Sequence, residues 1–506
     1  MNLATLVTRA ACWFGNRPAV IDGGRTMSFR ELEERSNQFA HVMAGLGCRP
    51  GERVAVLLGN RLEWFDVTFG LLKAGLVRTY VNPRSAPPEI AHQLADSGAR
   101  TVIVSDEFEG LLEATDLGAV EHVIRTGGEY DALLEAAAAS APGLDLGPDT
   151  LAALQYSSGT TGRPKGVMQT HGNWLAMTSG ALIDIGVGPD DVLLHVGPMS
   201  HASGGFAYPF LYRGGTQVVY SGFDPVELLE AIPRHRVTTL LLVPTMIYAL
   251  LEVLGRHPVD TSTLRTVLYG GSPIAPGKLE QCLEVLGPVF QQTYGMTEAL
   301  GGDTFLHKHE HVPGSRRLAS AGRPSFPVEL TVADEQGHEL PPGEVGEVVT
   351  RGPHVMAGYW NRPEASAEVF TPGGWFRTSD LGYLDEEGYL FIVDRKADMI
   401  VSGGFNVYPR EVEDVLLAHP GIAEAAVVST PDERWGESVR AVVRVQEGAG
   451  VTGEELDEWC RGQLAAFKVP RGYDFAAEPL PKNPNGKVLR RLIREPYWAG
   501  RERRVG

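Results

Sequence analysis

Residues 156–167, "YSSGTTGRPKGV", hold three glycines, two serines, two threonines and a lysine within twelve positions. A loop of that composition suits a phosphate. Glycine lets the backbone turn tightly and bring its N–H groups close to an anion, and the hydroxyls of Ser157, Ser158, Thr160 and Thr161 add donors around Gly159. Lys165 supplies a mobile positive charge. The pattern is not the NTPase loop GxxxxGK[ST]: Pro164 precedes the lysine and Gly166 and Val167 follow it, so no hydroxyl is placed for Mg²⁺. "AALQY" ahead of the loop reads as a buried strand, which argues against a merely flexible surface segment.

Working outward, "ERVAVLLG" and "RTVIVSD" predict strands, "RLEWFDVTFGLLKAG" an amphipathic helix, and "TTLLLVP" and "RTVLYGG" short apolar strands ending in Pro or Gly. This alternation predicts α/β layers with largely parallel sheets, whose ligands sit beyond the strand C-termini. The phosphate loop and "YGGSP" both fall at such ends, and "EAAAASAPGLDLGPDT" reads as a surface connection. From about Ala333 the texture changes: "GEVGEVVTRG" and "GWFRTSDLGYLDEEGYLFIVDR" predict short strands and hairpins. After Arg395 come "MIVSGGFNV", a helix "PREVEDVLLAH" with Pro409 suited to its first turn, strands "AEAAVVST" and "SVRAVVRV", and a helix from Glu454. The expected organisation is an α/β domain over residues 1–395 with a β-rich portion, followed by a small α+β domain over 396–506.

A chain of 506 residues exceeds one ordinary core, and 43 % hydrophobic with 21 % charged residues is a globular composition. The net charge of −18 argues against nucleic acid as partner. An anionic substrate then needs local positive groups, which is feasible because fields are screened beyond roughly 8 Å at physiological salt. Cys12, Cys48, Cys282 and Cys460 form no CxxC, so neither a disulfide framework nor a zinc site is indicated. "MNLATLVTRAACWF" lacks a basic region followed by a long apolar one and reads as a helix. "TTLLLVPTMIYALLEVLG" is interrupted by Pro244 and contains Glu252, so a strand and a helix are expected rather than an integral membrane segment. A cytoplasmic protein is the expectation.

Six further stretches follow the loop in order: "GPMSHASGG", "YGGSPIAP", "QTYGMTEA", "WFRTSD", "DRKADMIVSGGFNVYPREVE" and "LPKNPNGKVLRR". With it they closely resemble the adenylate-forming superfamily of acyl-CoA synthetases, aryl-acid ligases, luciferases and peptide-synthetase adenylation domains. The resemblance covers essentially the whole chain. It implies a two-step reaction: a carboxylate attacks the α-phosphate of ATP, giving acyl-AMP and pyrophosphate, and a thiol then displaces AMP. The implied ligands are ATP, Mg²⁺ and coenzyme A, with a hydrophobic carboxylic acid as the other substrate.

The resemblance also implies residue roles. Thr160, Thr161 and Lys165 would cradle the β- and γ-phosphates. Tyr294, at the start of "YGMTE" with Gly295, would stack on adenine, Thr297 would bond the α-phosphate and Glu298 would bind Mg²⁺. Gly270, Gly271 and Ser272 would shape the adenine and acyl pockets. Asp380 would accept from the ribose hydroxyls, with Arg395 adding contacts to ribose or phosphate. Lys487 would reach the α-phosphate and the acyl carboxylate, then withdraw as the small domain swings and Gly403 and Gly404 take its place along the pantetheine route. His201 borders the acyl tunnel or is a satisfied core histidine. "HKHEH" at 307–311 reads as a solvated face. "SHASGG" and "YGGSP" suggest a pocket of small residues to which "FAYPF" adds aromatic surface, suited to a medium-to-long or polycyclic acid.

Two positions depart from the superfamily pattern: Ser379 stands where the ribose motif has glycine, and Ala397 where the hinge has Asp or Lys. Ser379 is expected to crowd the nucleotide and Ala397 to alter the swing, which keeps open a ligase with weak adenylation. A ligase loading a carrier-protein pantetheine, a phosphoryl-transfer NTPase releasing ADP, and a binding protein without turnover are the other readings.

Overall fold

The apolar runs between helices assemble into two largely parallel sheets. The computed structural model describes residues 2–157, 164–402, 404–432, 434–446, 448–482 and 487–499. The chain forms two compact units, one from Met1–Gly159, Arg163–Leu330 and Thr350–Phe376, the other chiefly from Thr331–Val349 and Arg377–Gly506.

In the first unit, Phe290–Tyr294, Thr266–Gly270, Thr239–Leu242, Val192–His195, Thr216–Val219 and Pro18–Asp22 lie side by side in parallel. In the other sheet Leu151–Ser157, Val77–Tyr80, Arg53–Leu57, Thr101–Val104 and His122–Arg125 are parallel. Lys165–Thr170 returns antiparallel beside Leu151–Ser157, and Gly358–Tyr359 pairs beyond it. One buried cluster joins Val54, Val56 and Tyr80 to Leu193, Val219 and Leu268 through the helical side chains Phe65, Phe69, Trp174 and Phe210. A second joins Leu194, Leu240 and Val267 to Leu228, Ile247 and Leu279 of the helices Pro225–His235, Pro244–Arg256 and Pro276–Leu286. Neighbours Leu193 and Leu194 thus enter different cores, as the period-two pleat requires of a strand buried on both faces. The candidate span resolves into the strand Thr239–Leu242 and the helix from Pro244, and no helix among the described residues is long and apolar enough to cross a membrane.

The helix Glu63–Lys73 corrects one expectation. It is buried on every side instead of being amphipathic. Its charges survive burial because each is paired: Glu63 with Arg25 at 2.5 Å and Arg61 at 2.8 Å, Asp66 with Arg35 at 2.7 Å, and Lys73 with Glu33 at 2.6 Å.

The second unit contains a four-stranded sheet in the order Glu329–Ala333, Gly346–Arg351, Phe376–Leu384 and Leu390–Arg395. Arg395, the expected domain limit, ends a strand inside this unit. Phe405–Val407, Ile400–Ser402, Gly436–Val445 and Ile422–Asp432 form a further sheet, with Gly472–Phe475 parallel to Gly436–Val445. Val412 and Leu416 of the helix Pro409–Leu417, and Leu456 and Cys460 of Gly453–Arg461, pack on Val427, Val439 and Ala441.

The hairpin of Phe376–Leu384 and Leu390–Arg395 sets Asp380 directly opposite Arg395. Asp385 closes its turn by accepting from the N–H groups of Glu387 and Tyr389, both at 3.0 Å, and Gly388 supplies φ +80°. Ser379 has φ +61°, a left-handed conformation that favours glycine, and its side chain is exposed. The peptide is held there by its N–H on Glu347 Oε1 at 3.2 Å and by its carbonyl, which accepts from Lys396 N–H at 2.9 Å. The departure from glycine therefore falls on the backbone. Ser379→Gly is expected to stabilise the protein by up to about 1 kcal/mol, read as a raised urea midpoint, while Ser379→Ala gains nothing.

Candidate active site

Two adjacent parallel strands end together. Gly270 lies opposite Thr293, and beyond them run Gly271, with φ +77°, and the turn from Tyr294. A Cβ on Gly270 would lie 2.4 Å from the Thr293 carbonyl oxygen, and one on Gly295 2.5 Å from the Gly301 carbonyl carbon. Both positions need bare backbone, and both glycines were singled out in the sequence. Gly271 is exposed; Ser272 and Tyr294 are half-buried.

Thr297–Ala299 forms one 3₁₀ turn. The Thr297 carbonyl accepts from Gln169 Nε2 at 2.9 Å, and the Glu298 carbonyl from Met356 N–H at 2.8 Å. Gln169 belongs to the strand Lys165–Thr170, so the turn after one sheet is tied to the phosphate-loop hairpin of the other. Tyr359 completes the junction. Its hydroxyl donates to Glu298 Oε1 at 3.1 Å, and Lys165 Nζ stands 4.8 Å from its ring centroid. Lys165 and Glu298 thus touch the same side chain, while Thr297 is tied to the strand that begins at Lys165, and Tyr359 is the residue that sequence reasoning missed. "AGYW" carries no signal of its own; pairing with Lys165–Thr170 places it.

The stem of the phosphate loop is braced from outside. Tyr156 donates to Asp96 Oδ2 at 2.8 Å, Arg362 pairs with Asp96 Oδ1 at 2.8 Å, and Trp360 Nε1 donates to the Asp96 carbonyl at 3.1 Å. Ser157 pairs through its backbone with Lys165 at the loop's mouth. Ser158, Gly159, Thr160, Thr161 and Gly403 lie outside the described residues.

His201 precedes the short helix Ala202–Gly205 and has Nδ1 3.1 Å from Ser200 Oγ. Crowding by protein atoms pushes its imidazole down to about 4, so at neutral pH it bears no charge. His195, also neutral, is a core histidine between Ser203 Oγ at 2.8 Å and Gln217 Oε1 at 2.9 Å. Of "FAYPF", Phe206 lines an apolar cavity with Met177, Ala181, Gly302 and Phe305. Tyr208 and Phe210 are core residues, which corrects their expected place on the acyl surface. Tyr208 instead accepts from the fully buried Arg78, which also lies 5.3 Å from the Trp174 ring centroid. "HKHEH" is likewise not one solvated face. Glu310 and His311 are buried, with Glu310 paired to Arg323 at 3.0 Å and His311 Nε2 3.0 Å from Tyr269 Oη.

In the second unit Asp380 is buried and paired with Arg395 at 3.1 Å. Lys487 precedes Val488, which bridges Lys482, and Leu489 N–H donates to the Pro481 carbonyl at 2.8 Å. Loss of hydration, then the Arg395 guanidinium, pushes its ammonium down to about 8, with Arg490 adding to the shift and Asp380 and Asp398 opposing it. Lys487 nevertheless remains exposed. Three residues on, Arg490 meets Asp394 at 2.9 Å, Asp398 at 3.1 Å and Glu413 at 2.5 Å. Arg490 opens the short helix Arg490–Arg494, and Ala397 is joined to its far end, the Ala397 carbonyl accepting from Arg494 at 3.4 Å. Gly404, with φ +84°, is exposed between Ile400–Ser402 and Phe405–Val407.

For a metal, the described residues contain no cluster of three or more His, Cys, Asp or Glu. Glu298, half-buried and oriented by Tyr359, offers a hard oxygen beside the phosphate-loop lysine. One carboxylate with substrate phosphates and water is a donor set that suits Mg²⁺.

The AMP-binding enzyme family matches residues 7–360, and the AMP-binding enzyme C-terminal domain matches 411–487. A feruloyl-CoA synthase of Amycolatopsis is 40 % identical, covering 98 % of this chain and 99 % of its own. A fatty acid–[acyl-carrier-protein] ligase, ScoC, of Streptomyces coeruleorubidus is 39 % identical, covering 96 % and 95 %. Among solved structures, ATP-bound MatB from Rhodopseudomonas palustris superposes with TM-score 0.90 at 31 % identity over 98 % of this chain and 99 % of its own. The Bacillus subtilis o-succinylbenzoate CoA synthetase with its acyl-adenylate gives 0.87 at 33 % over 96 % and 97 %.

Arg490 is the anchor of the segment that carries Lys487. Arg490→Met leaves three carboxylates facing one another and is expected to cost about 3–5 kcal/mol, measured by urea unfolding.

Proposed function

We infer that this chain, which belongs to the AMP-binding enzyme family, is an AMP-forming acyl-CoA ligase whose acid is hydrophobic. The observation that carries the reading is the junction at Tyr359, where Lys165 and Glu298, from segments distant in the chain, touch one side chain, with Gly295 close by in sequence at a position that admits no Cβ. The similarity to a feruloyl-CoA synthase and to a fatty acid–[acyl-carrier-protein] ligase supports a hydrophobic acyl group.

The chemistry follows from the groups available. A carboxylate is a poor electrophile; joining it to AMP makes a mixed anhydride with a good leaving group. Little covalent work falls to the protein, which positions the reactants and stabilises charge on phosphoryl oxygens. Lys165 and the loop hydroxyls hold the departing pyrophosphate, Thr297 holds the α-phosphate, and Tyr294 lies against adenine. Bound at Glu298, Mg²⁺ would neutralise phosphate charge. Asp380 receives the ribose hydroxyls with Arg395 beside it. Lys487 brings its ammonium to the α-phosphate and carboxylate, and His201, uncharged, borders the acyl group. In the second step residues 396–506 swing so that Gly403 and Gly404 flank the thiol and Lys487 withdraws. A medium-to-long or polycyclic acid in a cytoplasmic setting is the finer proposal.

A carrier-protein thiol is a second acceptor reading, favoured by the 39 % identity to the carrier-loading ScoC. Incubating the enzyme with acid, ATP and either CoA or a pantetheinylated carrier, with mass analysis of both products, separates the two.

With a panel of acids, hydrophobic ones are expected to give acid-dependent pyrophosphate and AMP; ADP formation, or a strict preference for acetate or an amino acid, refutes the reading. A second test uses pH. Lys487 acts while protonated, and its lowered pKa means that the charge is lost as pH rises through about 8 rather than through the usual lysine range. kcat/KM for ATP in adenylation is therefore expected to fall about tenfold per pH unit above 8, and Lys487→Arg to abolish that limb.

A further inference from the structure

Tyr359 is only 8 % exposed, and strand pairing on one side and Ser366 on the other fix its backbone. Gly358 and Tyr359 pair with Met168 and Val167, and the next N–H, of Trp360, donates to the Gly166 carbonyl at 2.8 Å. Tyr359 N–H donates to Ser366 Oγ at 2.8 Å. Gly358 has φ +130°, and a Cβ there would lie 3.1 Å from the same Ser366 Oγ, so the approach depends on glycine. The side chain then does two separate things. Its ring faces Lys165 Nζ at 4.8 Å, and its hydroxyl donates to Glu298 Oε1 at 3.1 Å. Burial, then the Glu298 charge, raises the phenol above its ordinary range, so it stays a neutral donor at every working pH.

From this juxtaposition we propose that Tyr359 is a positioning residue that couples the pyrophosphate-holding lysine to the magnesium-binding glutamate. The proposal rests on the roles given above to Lys165 and Glu298. A lysine has four rotatable methylene bonds, and a ring face within reach of its ammonium narrows where the charge rests. A carboxylate that accepts one fixed O–H presents its remaining lone pairs in one orientation, as outer partners do for metal-binding carboxylates. One rigid side chain thereby sets the spacing between the cation and the anion that must meet the two ends of the same triphosphate and metal.

The test measures half-saturating Mg²⁺ and KM for ATP in acid-dependent pyrophosphate release, for Tyr359→Phe, Tyr359→Leu, Glu298→Gln and the Phe/Gln double variant. Circular dichroism melts verify folding, and Phe, which retains the buried ring, is the variant that keeps the test valid should Leu not fold. Tyr359→Phe is expected to raise half-saturating Mg²⁺ roughly tenfold, the order of one charge-assisted hydrogen bond, and to add nothing once Glu298→Gln is present. Tyr359→Leu is expected to raise KM for ATP as well, because the ring under Lys165 is gone. A Phe variant with unchanged Mg²⁺ dependence, or one whose effect multiplies fully with Glu298→Gln, overturns the coupling while leaving the site's reading intact. Unchanged Mg²⁺ dependence in Glu298→Gln overturns both.

Discussion

Backbone hydrogen bonding between two parallel strands, Thr266–Gly270 and Phe290–Tyr294, is the constraint on which the site depends. Their register puts Gly270 against Thr293 and ends the pairing of the two chains at the same level. Such an end is the natural place for a polar ligand in a sheet whose two faces are buried. Glycine at 270 and 295 is then a packing necessity, because neighbouring backbone already occupies the space of a Cβ.

The second organising element is the way the phosphate-loop hairpin is tied to that end. Gln169 reaches the Thr297 carbonyl, and Tyr359 reaches Glu298 and Lys165. Asp96 braces the outer side through Tyr156, Trp360 and Arg362.

Charge is handled differently in the interior and at the site. Glu63, Asp66 and Lys73 are buried in closely paired ions that fix one helix in its slot. Lys487 stands among charges of both signs and remains exposed, and its proton is held less tightly than an ordinary lysine's.

The sequence by itself determined the α/β class and the strand and helix that replace a membrane span, and it singled out Gly270, Gly295, Lys165, Glu298, Asp380 and Lys487 as candidates. These are legible because periodicity, glycine spacing and ordered motifs are local properties. It also marked Ser379 as an exception, and the backbone angle adds that a left-handed peptide carries that side chain. Tertiary structure alone decided the rest. The helix Glu63–Lys73 looks amphipathic until partners from other segments neutralise its charges. Tyr208 looks like pocket lining until Arg78 is found behind it. Tyr359, nearly two hundred residues from Lys165, acquires its place only through pairing of strands distant in the chain, and no local pattern encodes which strand will be its neighbour.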